Sequence, residues 1–215
     1  MFQHSTIFFT ELYSTTLVDI IEFLGTIAFA ISGIRLASAK RFDWFGAMVV
    51  GFVTAVGGGT LRDLLLDIPP FWLKSSLYIW GTVLAFVIVV FFKKWLVHLN
   101  NTIFWFDCIG LGLFTIVGFE KALAAEHSYW ICIFMGTITG IVGGITRDIL
   151  INEIPIIFRK ELYAFACIFG GMIYAFLDYI EFDIAATQVI VFFVVVIVRI
   201  LATKFHWQLP TLKEE

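Results

Sequence analysis

At 215 residues, 60% hydrophobic and only 14% charged, with a mean hydropathy of +0.97, the chain has too little polar material to clothe a water-soluble globule. The formal net charge is −3 and the basic residues stand singly or in pairs, which excludes nucleic acid as a partner. The chain must live in lipid, where the backbone satisfies its own hydrogen bonds and crosses either as helices or as a closed barrel.

Apolar runs such as 77–92 and 184–198 lack the alternation of a barrel strand, so the spans are helical. Residues 1–16 have no basic start and no small-residue cleavage site, and read as a short external N-terminal tail. Spans follow at about 17–37, 44–66, 75–92, 104–122, 129–151, 161–178 and 184–203, each near the ~20 residues a helix needs to cross. Trp44, Trp72, Trp80, Trp95, Trp105, Trp130 and Trp207 lie at or near span ends, where indoles favour the headgroup level. Cys108, Cys132 and Cys167 sit inside apolar runs without metal spacing and read as small buried hydrophobes.

Basic side chains sort the loops. Arg35, Lys40 and Arg41 fall between spans one and two, Lys93 and Lys94 between three and four, Arg159 and Lys160 between five and six, and Lys204 and Lys213 in the tail. These segments are expected in the cytoplasm. The alternate loops hold only Lys74 and Lys121, and the last of them carries Asp178, Glu181 and Asp183. The N-terminus is therefore expected outside and the C-terminus inside.

Sliding the chain against itself by 85 positions reveals an internal repeat without a gap. Gly25 falls on Gly110, Phe29 on Phe114, Gly33 on Gly118, Gly51 on Gly136, Thr54 on Thr139, Gly58 on Gly143, Gly59 on Gly144, Arg62 on Arg147, Asp63 on Asp148, Pro70 on Pro155 and Tyr78 on Tyr163. Each copy holds three spans, an odd number, so the second copy enters from the opposite side and the repeats are inverted. The expected fold is an all-α membrane protein with seven transmembrane helices: two inverted three-helix repeats, 17–100 and 101–183, then a seventh span and cytoplasmic tail at 184–215.

Function concentrates on spans two and five, which read Thr54-Ala55-Val56-Gly57-Gly58-Gly59-Thr60-Leu61-Arg62-Asp63 and Thr139-Gly140-Ile141-Val142-Gly143-Gly144-Ile145-Thr146-Arg147-Asp148. Each interior glycine costs a helix about 1 kcal/mol relative to alanine. The clusters are therefore expected to interrupt and kink both spans, or else to let helices pack closely. From Trp44 to Gly58 is about 21 Å at the helical rise, beyond the centre of a ~30 Å core. Arg62 and Asp63 then lie nearer the outer face, Arg147 and Asp148 nearer the inner one, and the two breaks bracket a central passage.

Neighbours on a helix point about 100° apart, so neither Arg-Asp pair is expected to neutralise itself, and each needs further partners. The arginines either reach into the passage or lock their helices to a neighbouring carbonyl or carboxylate. Pro69, Pro70 and Pro155 end the helices, with Asp67, Asn152 and Glu153 forming a polar rim. Glu120 and Lys121 close span four opposite Arg35 of span one, as a cross-repeat charge pair or as side chains that snorkel to the interface. His4, His98, His127 and His206 are scattered and no catalytic motif occurs, so neither an enzyme nor a cofactor is expected.

The doubled Gly-Gly-x-x-Arg-Asp motif, at Gly58 to Asp63 and Gly143 to Asp148, resembles the prokaryotic TRIC (trimeric intracellular cation) channels, also grouped as a bacterial glycine-transporter domain family. The resemblance covers essentially the whole chain. It departs in that Gly57-Gly58-Gly59 faces Val142-Gly143-Gly144, which suggests a less open second kink. It implies a homotrimer in a prokaryotic inner membrane, surrounded by lipid, with one pore per protomer for potassium and other monovalent cations. In that reading Thr54, Thr60, Thr139 and Thr146 help backbone groups solvate the ion. The rival readings are a transporter of glycine or a similar small zwitterion, and a scaffold whose motif only packs.

Overall fold

The computed structural model describes residues 2–92, 101–158 and 162–207, with side chains from Leu17 onward. Lys93, Lys94, Trp95, His98, Arg159, Lys160 and Lys213, which carry part of the topology reading, lie outside these residues. The described regular structure is all helical: α1 (Phe2–Ala39), α2 (Trp44–Leu65), α3 (Phe71–Lys74), α4 (Leu77–Phe91), α5 (Thr102–Ala124), α6 (Tyr129–Leu150), a 3-10 turn at Ile156–Phe158, α7 (Tyr163–Tyr179) and α8 (Ile184–Lys204). Among the described residues, five stretches have the length and apolarity to cross a bilayer: Leu17–Ala39, α2, α5, α6 and α8. Helices α4 and α7 are apolar but shorter, with 15 and 17 residues.

Two differences from the sequence reading stand out. Helix α1 runs back to Phe2, through the segment expected to be a tail. The polar stretch after α2 folds a short helix, α3, ahead of α4, because Pro70 fixes its entry and cannot extend α2.

Local chemistry sets the helix ends. Asp43 and Asp183 cap α2 and α8, accepting from the N–H groups of Gly46 (2.6 Å) and Ala186 (2.8 Å). Helix α2 closes in a Schellman turn with Asp67 left-handed (φ 56°) and Ile68 N–H on Asp63 O at 2.9 Å. Helix α6 closes identically, with Asn152 at φ 59° and Glu153 N–H on Asp148 O at 2.8 Å.

The 85-residue offset governs the architecture as well as the motif. Leu17–Ala39 maps onto α5 and Trp44–Leu65 onto Tyr129–Leu150, residue for residue. Helix α1 packs on α2 and α4 as α5 packs on α6 and α7. The two units meet through α1 on α5 and α2 on α6, while α8 lies against α5 and α7. Large apolar side chains such as Trp44, Phe91, Trp130 and Ile197 remain exposed on the outside, the surface lipid would cover. Trp72 instead turns inward and donates to Thr60 Oγ1 at 3.0 Å.

Candidate functional site

The motif glycines do not interrupt their helices. Residues 44–65 and 129–150 are continuously helical, and no glycine has a positive φ. The weak helix propensity of Gly57, Gly58, Gly59, Gly143 and Gly144 is outweighed by what bare backbone permits, a close crossing of α2 on α6. A Cβ on Gly58 would lie 2.0 Å from Thr139 O, and one on Gly143 would lie 2.2 Å from Thr54 O. Gly57 faces Thr146 Oγ1 and the Cα of Gly143 across the same interface. Contacts in which i meets j′ and j meets i′ are those a two-fold axis produces. The same reciprocity recurs between α1 and α5, where Gly110 abuts Phe29, Gly25 abuts Phe114, and the two rings sit 5.2 Å apart.

The threonines bond first to their own helices. Thr54, Thr60, Thr139 and Thr146 donate to the carbonyls four residues back, at 2.6 to 2.7 Å, which leaves their oxygens as acceptors. Thr54 and Thr139 are buried where Gly33 and Gly118 make room. Thr60 and Thr146 are half-buried.

Each Arg-Asp pair closes on itself, contrary to the angular argument. The arginine stem is long enough for the guanidinium to swing across one residue: Nε of Arg62 lies 2.8 Å from Asp63 Oδ1, and that of Arg147 lies 2.9 Å from Asp148 Oδ1. Both aspartates use their second oxygen to hold the following loop, through the N–H of Phe71 (2.7 Å) and of Ile156 (3.0 Å). Both arginines are fully buried and take a second carboxylate from the preceding unit helix. Arg62 Nη2 meets Glu22 Oε1 at 2.9 Å, and Arg147 Nη1 meets Asp107 Oδ1 at 2.5 Å. Neither is aimed at open space, so the locking role is the one the geometry supports.

Glu22 and Asp107 were missed as site residues, yet they too are 85 positions apart. A single acid inside an apolar span is the signal that would have found them. Glu22 also takes Tyr78 OH at 3.1 Å and Lys121 Nζ on both oxygens at 2.8 and 2.9 Å. Lys121 therefore ties the units together instead of snorkelling. Glu120 does not meet Arg35: it accepts from Tyr174 OH (2.5 Å) on α7 and Gln188 Nε2 (2.8 Å) on α8. At the other end Arg147 ties the units by a bond to Ser32 Oγ at 2.8 Å, and the rim residue Glu153 pairs with Lys40.

Two cavities open at the Arg62 end and share Asp19 and Lys121 as walls. One of about 560 Å³ is bounded by Glu22, Asp63, Phe71 and Tyr78, the other, about 330 Å³, by Glu120, Tyr174 and Asp178. No cluster suited to a metal ion occurs among the described residues.

Comparison with known proteins places this arrangement. A model of the family described as glycine transporter matches the chain twice, over 19–94 and 104–179. A membrane protein of Vibrio cholerae is 38% identical over 203 residues, 92% of this chain and 83% of its own length. The inner membrane protein YadS of Escherichia coli K12 is 39% identical over 204 residues, 91% of this chain and 96% of its own. A structure solved to explain conductance through TRIC cation channels superposes with a TM-score of 0.80 at 34% identity, over 92% of this chain and 98% of that one. The TRIC trimeric intracellular cation channel orthologue from Rhodobacter sphaeroides superposes with a TM-score of 0.82 at 32% identity, over 89% and 99%.

Proposed function

The chain belongs to the prokaryotic TRIC channel family, and from that membership we propose that it is a potassium-permeable monovalent cation channel with one pore in each protomer of a homotrimer. The observation that carries this reading is the superposition, over 92% of the chain, on a channel through which cations are conducted. The pore runs along the α2–α6 crossing. Bare glycine backbone keeps that crossing narrow, and the oxygen of Thr146, whose proton is already committed, is free to solvate a cation, while that of Thr60, which also accepts from Trp72, keeps one lone pair for the same task.

The layout in the membrane is seven spans in two inverted units, with the N-terminus outside and the C-terminus in the cytoplasm of a bacterial inner membrane. Side-chain ties support the inversion. The end of α2 lies beside the start of the α1 span and the end of α5, through Arg62, Glu22 and Lys121. The loop after α6 lies beside the loop after α1, through Glu153 and Lys40. Cysteines at Asp43 and Glu181 should react with a membrane-impermeant reagent from opposite sides, and labelling of both from one side would remove the inversion.

Purified protein in planar bilayers under a potassium chloride gradient should give discrete current steps that reverse toward the potassium potential. The family description keeps a second reading in view, a carrier of glycine. Saturable glycine uptake by proteoliposomes in the absence of current steps would replace the channel with that carrier.

A further inference from the structure

The two charge networks are copies, but their tyrosines behave differently. Tyr78 OH donates directly to Glu22 at 3.1 Å. Its counterpart Tyr163 faces Asp107, whose carboxylate stem is one methylene shorter, and no bond forms between them. Tyr163 OH and Asp107 Oδ2 are both buried without a hydrogen-bond partner among the described residues. The neighbours explain the split. In the first unit the Phe71 ring fills the space over Gly59 and packs 4.5 Å from Tyr78. In the second unit Ile156 stands where Phe71 would be, and the Tyr163 hydroxyl settles over Gly144 instead, 2.6 Å from the position a Cβ would take. Asp107 Oδ1, the oxygen that Arg147 holds, lies 3.7 Å from that same position, so the Asp107 carboxylate and the Tyr163 hydroxyl both flank Gly144 at the junction of α5, α6 and α7.

An unsatisfied buried hydroxyl or carboxylate oxygen bears its full desolvation cost, the charged one more heavily, and a molecule that bonds both recovers most of that. We propose that this junction is a binding site for a single water molecule, which bridges Tyr163 OH and Asp107 Oδ2. The spare Nη2 of Arg147, buried and without a partner on the guanidinium that already holds Asp107, is available as a third contact. Two or three polar partners are what a buried water requires, and a water bonded to two groups spans about 5.5 Å between them. The charges around the site select a neutral guest. Asp107 and Asp148 face Arg147, and the Arg199 guanidinium lies 4.8 Å above the Tyr163 ring. A cation would meet two guanidinium groups and an anion two carboxylates.

The site does not depend on whether the protein conducts ions, and a structure of the full-length protein tests it directly. At a resolution that shows ordered solvent, the wild type should have one peak within hydrogen-bond distance of Tyr163 OH and Asp107 Oδ2. That peak should carry no anomalous signal after a rubidium soak. Asp107→Glu should lose the peak and gain a direct tyrosine-to-carboxylate bond like that of Tyr78. The proposal is overturned by an empty site in the wild type, by a direct bond from Tyr163 to Asp107, by a rubidium signal, or by a peak that survives unchanged in Asp107→Glu. Should the variant fail to fold, the wild-type map and the rubidium soak decide alone.

Discussion

The end of α2 and the end of α6 follow one plan, an arginine between its own aspartate and an acid one helix away, yet they are built to different tolerances. At the Arg62 end Glu22 is saturated by Arg62, Tyr78 and Lys121, and two cavities reach the cluster. At the Arg147 end Asp107 receives, among the described residues, Arg147 alone, and a tie to the other unit is a neutral serine. Duplication supplied one plan, and single changes of side-chain length made one end multiply braced and the other dependent on one cation. In a low-dielectric interior this decides what happens when a charge is removed, because an acid left without its cation has to be satisfied by whatever remains.

The arginines give the largest expected effect. Arg147→Gln leaves Asp107 and Asp148 buried without the cation that bonds them both, and should cost about 3–5 kcal/mol, the usual penalty for breaking a buried pair. Arg62→Gln leaves Glu22 with Lys121 and Tyr78 and should cost visibly less. Thermal unfolding of both variants in one detergent checks this, and equal losses would mean that the extra partners of Glu22 contribute nothing.

The glycine crossing should behave in the opposite way, symmetrically. Gly58→Ala and Gly143→Ala each press a methyl group onto a backbone carbonyl of the facing helix, and overpacking of this kind costs about 1–3 kcal/mol. Because the contact is reciprocal, the two variants should lose stability to within about 0.5 kcal/mol of each other. Both should also change potassium current more than they change expression. A large loss in one variant and none in the other would show that the crossing is not two-fold.

How much of this was legible in the sequence depends on the length scale of the signal. The helical character, the recurrence at 85 residues and the Arg-Asp motif were readable because hydropathy and residue identity recur at a fixed offset. The glycines were read two ways, as breaks or as a close-packing surface, and propensity could not choose between them, since it speaks of one helix and the close approach of Thr139 O to Gly58 belongs to two. Arg62 was misjudged for a related reason: backbone direction says where Cβ points, whereas a four-atom stem carries the guanidinium back to Asp63. Glu22 and Asp107 were readable in principle, as matched acids inside apolar spans, but neither residue type is identical in the alignment, and a search for identities passes over them. Of the partners of Glu120, Gln188 on α8 lies outside the repeat and Tyr174 sits on α7 of its own unit, so matching positions between the units pointed to Arg35 instead.

The smallest effects separate the two ties between the units. Lys121 is only 21% exposed and bonds both oxygens of a buried acid, whereas Lys40 and Glu153 are 42% and 36% exposed. An exposed pair is worth about 0–1 kcal/mol and is screened by salt. Lys40→Met should therefore shift the unfolding midpoint by little more than the error of measurement, and by less still in 0.5 M salt. Lys121→Met should cost about 1–2 kcal/mol, because the buried charge-assisted bonds it removes are stronger than exposed ones. Arg62 and Tyr78 keep Glu22 from being stranded, which holds the loss below that of either arginine variant. Burial should also make the Lys121→Met loss nearly insensitive to salt. If both lysine variants responded to salt alike, the Glu22 cluster would be open to bulk water, and the contrast drawn between the two ends of the bundle would fail at its best-braced point.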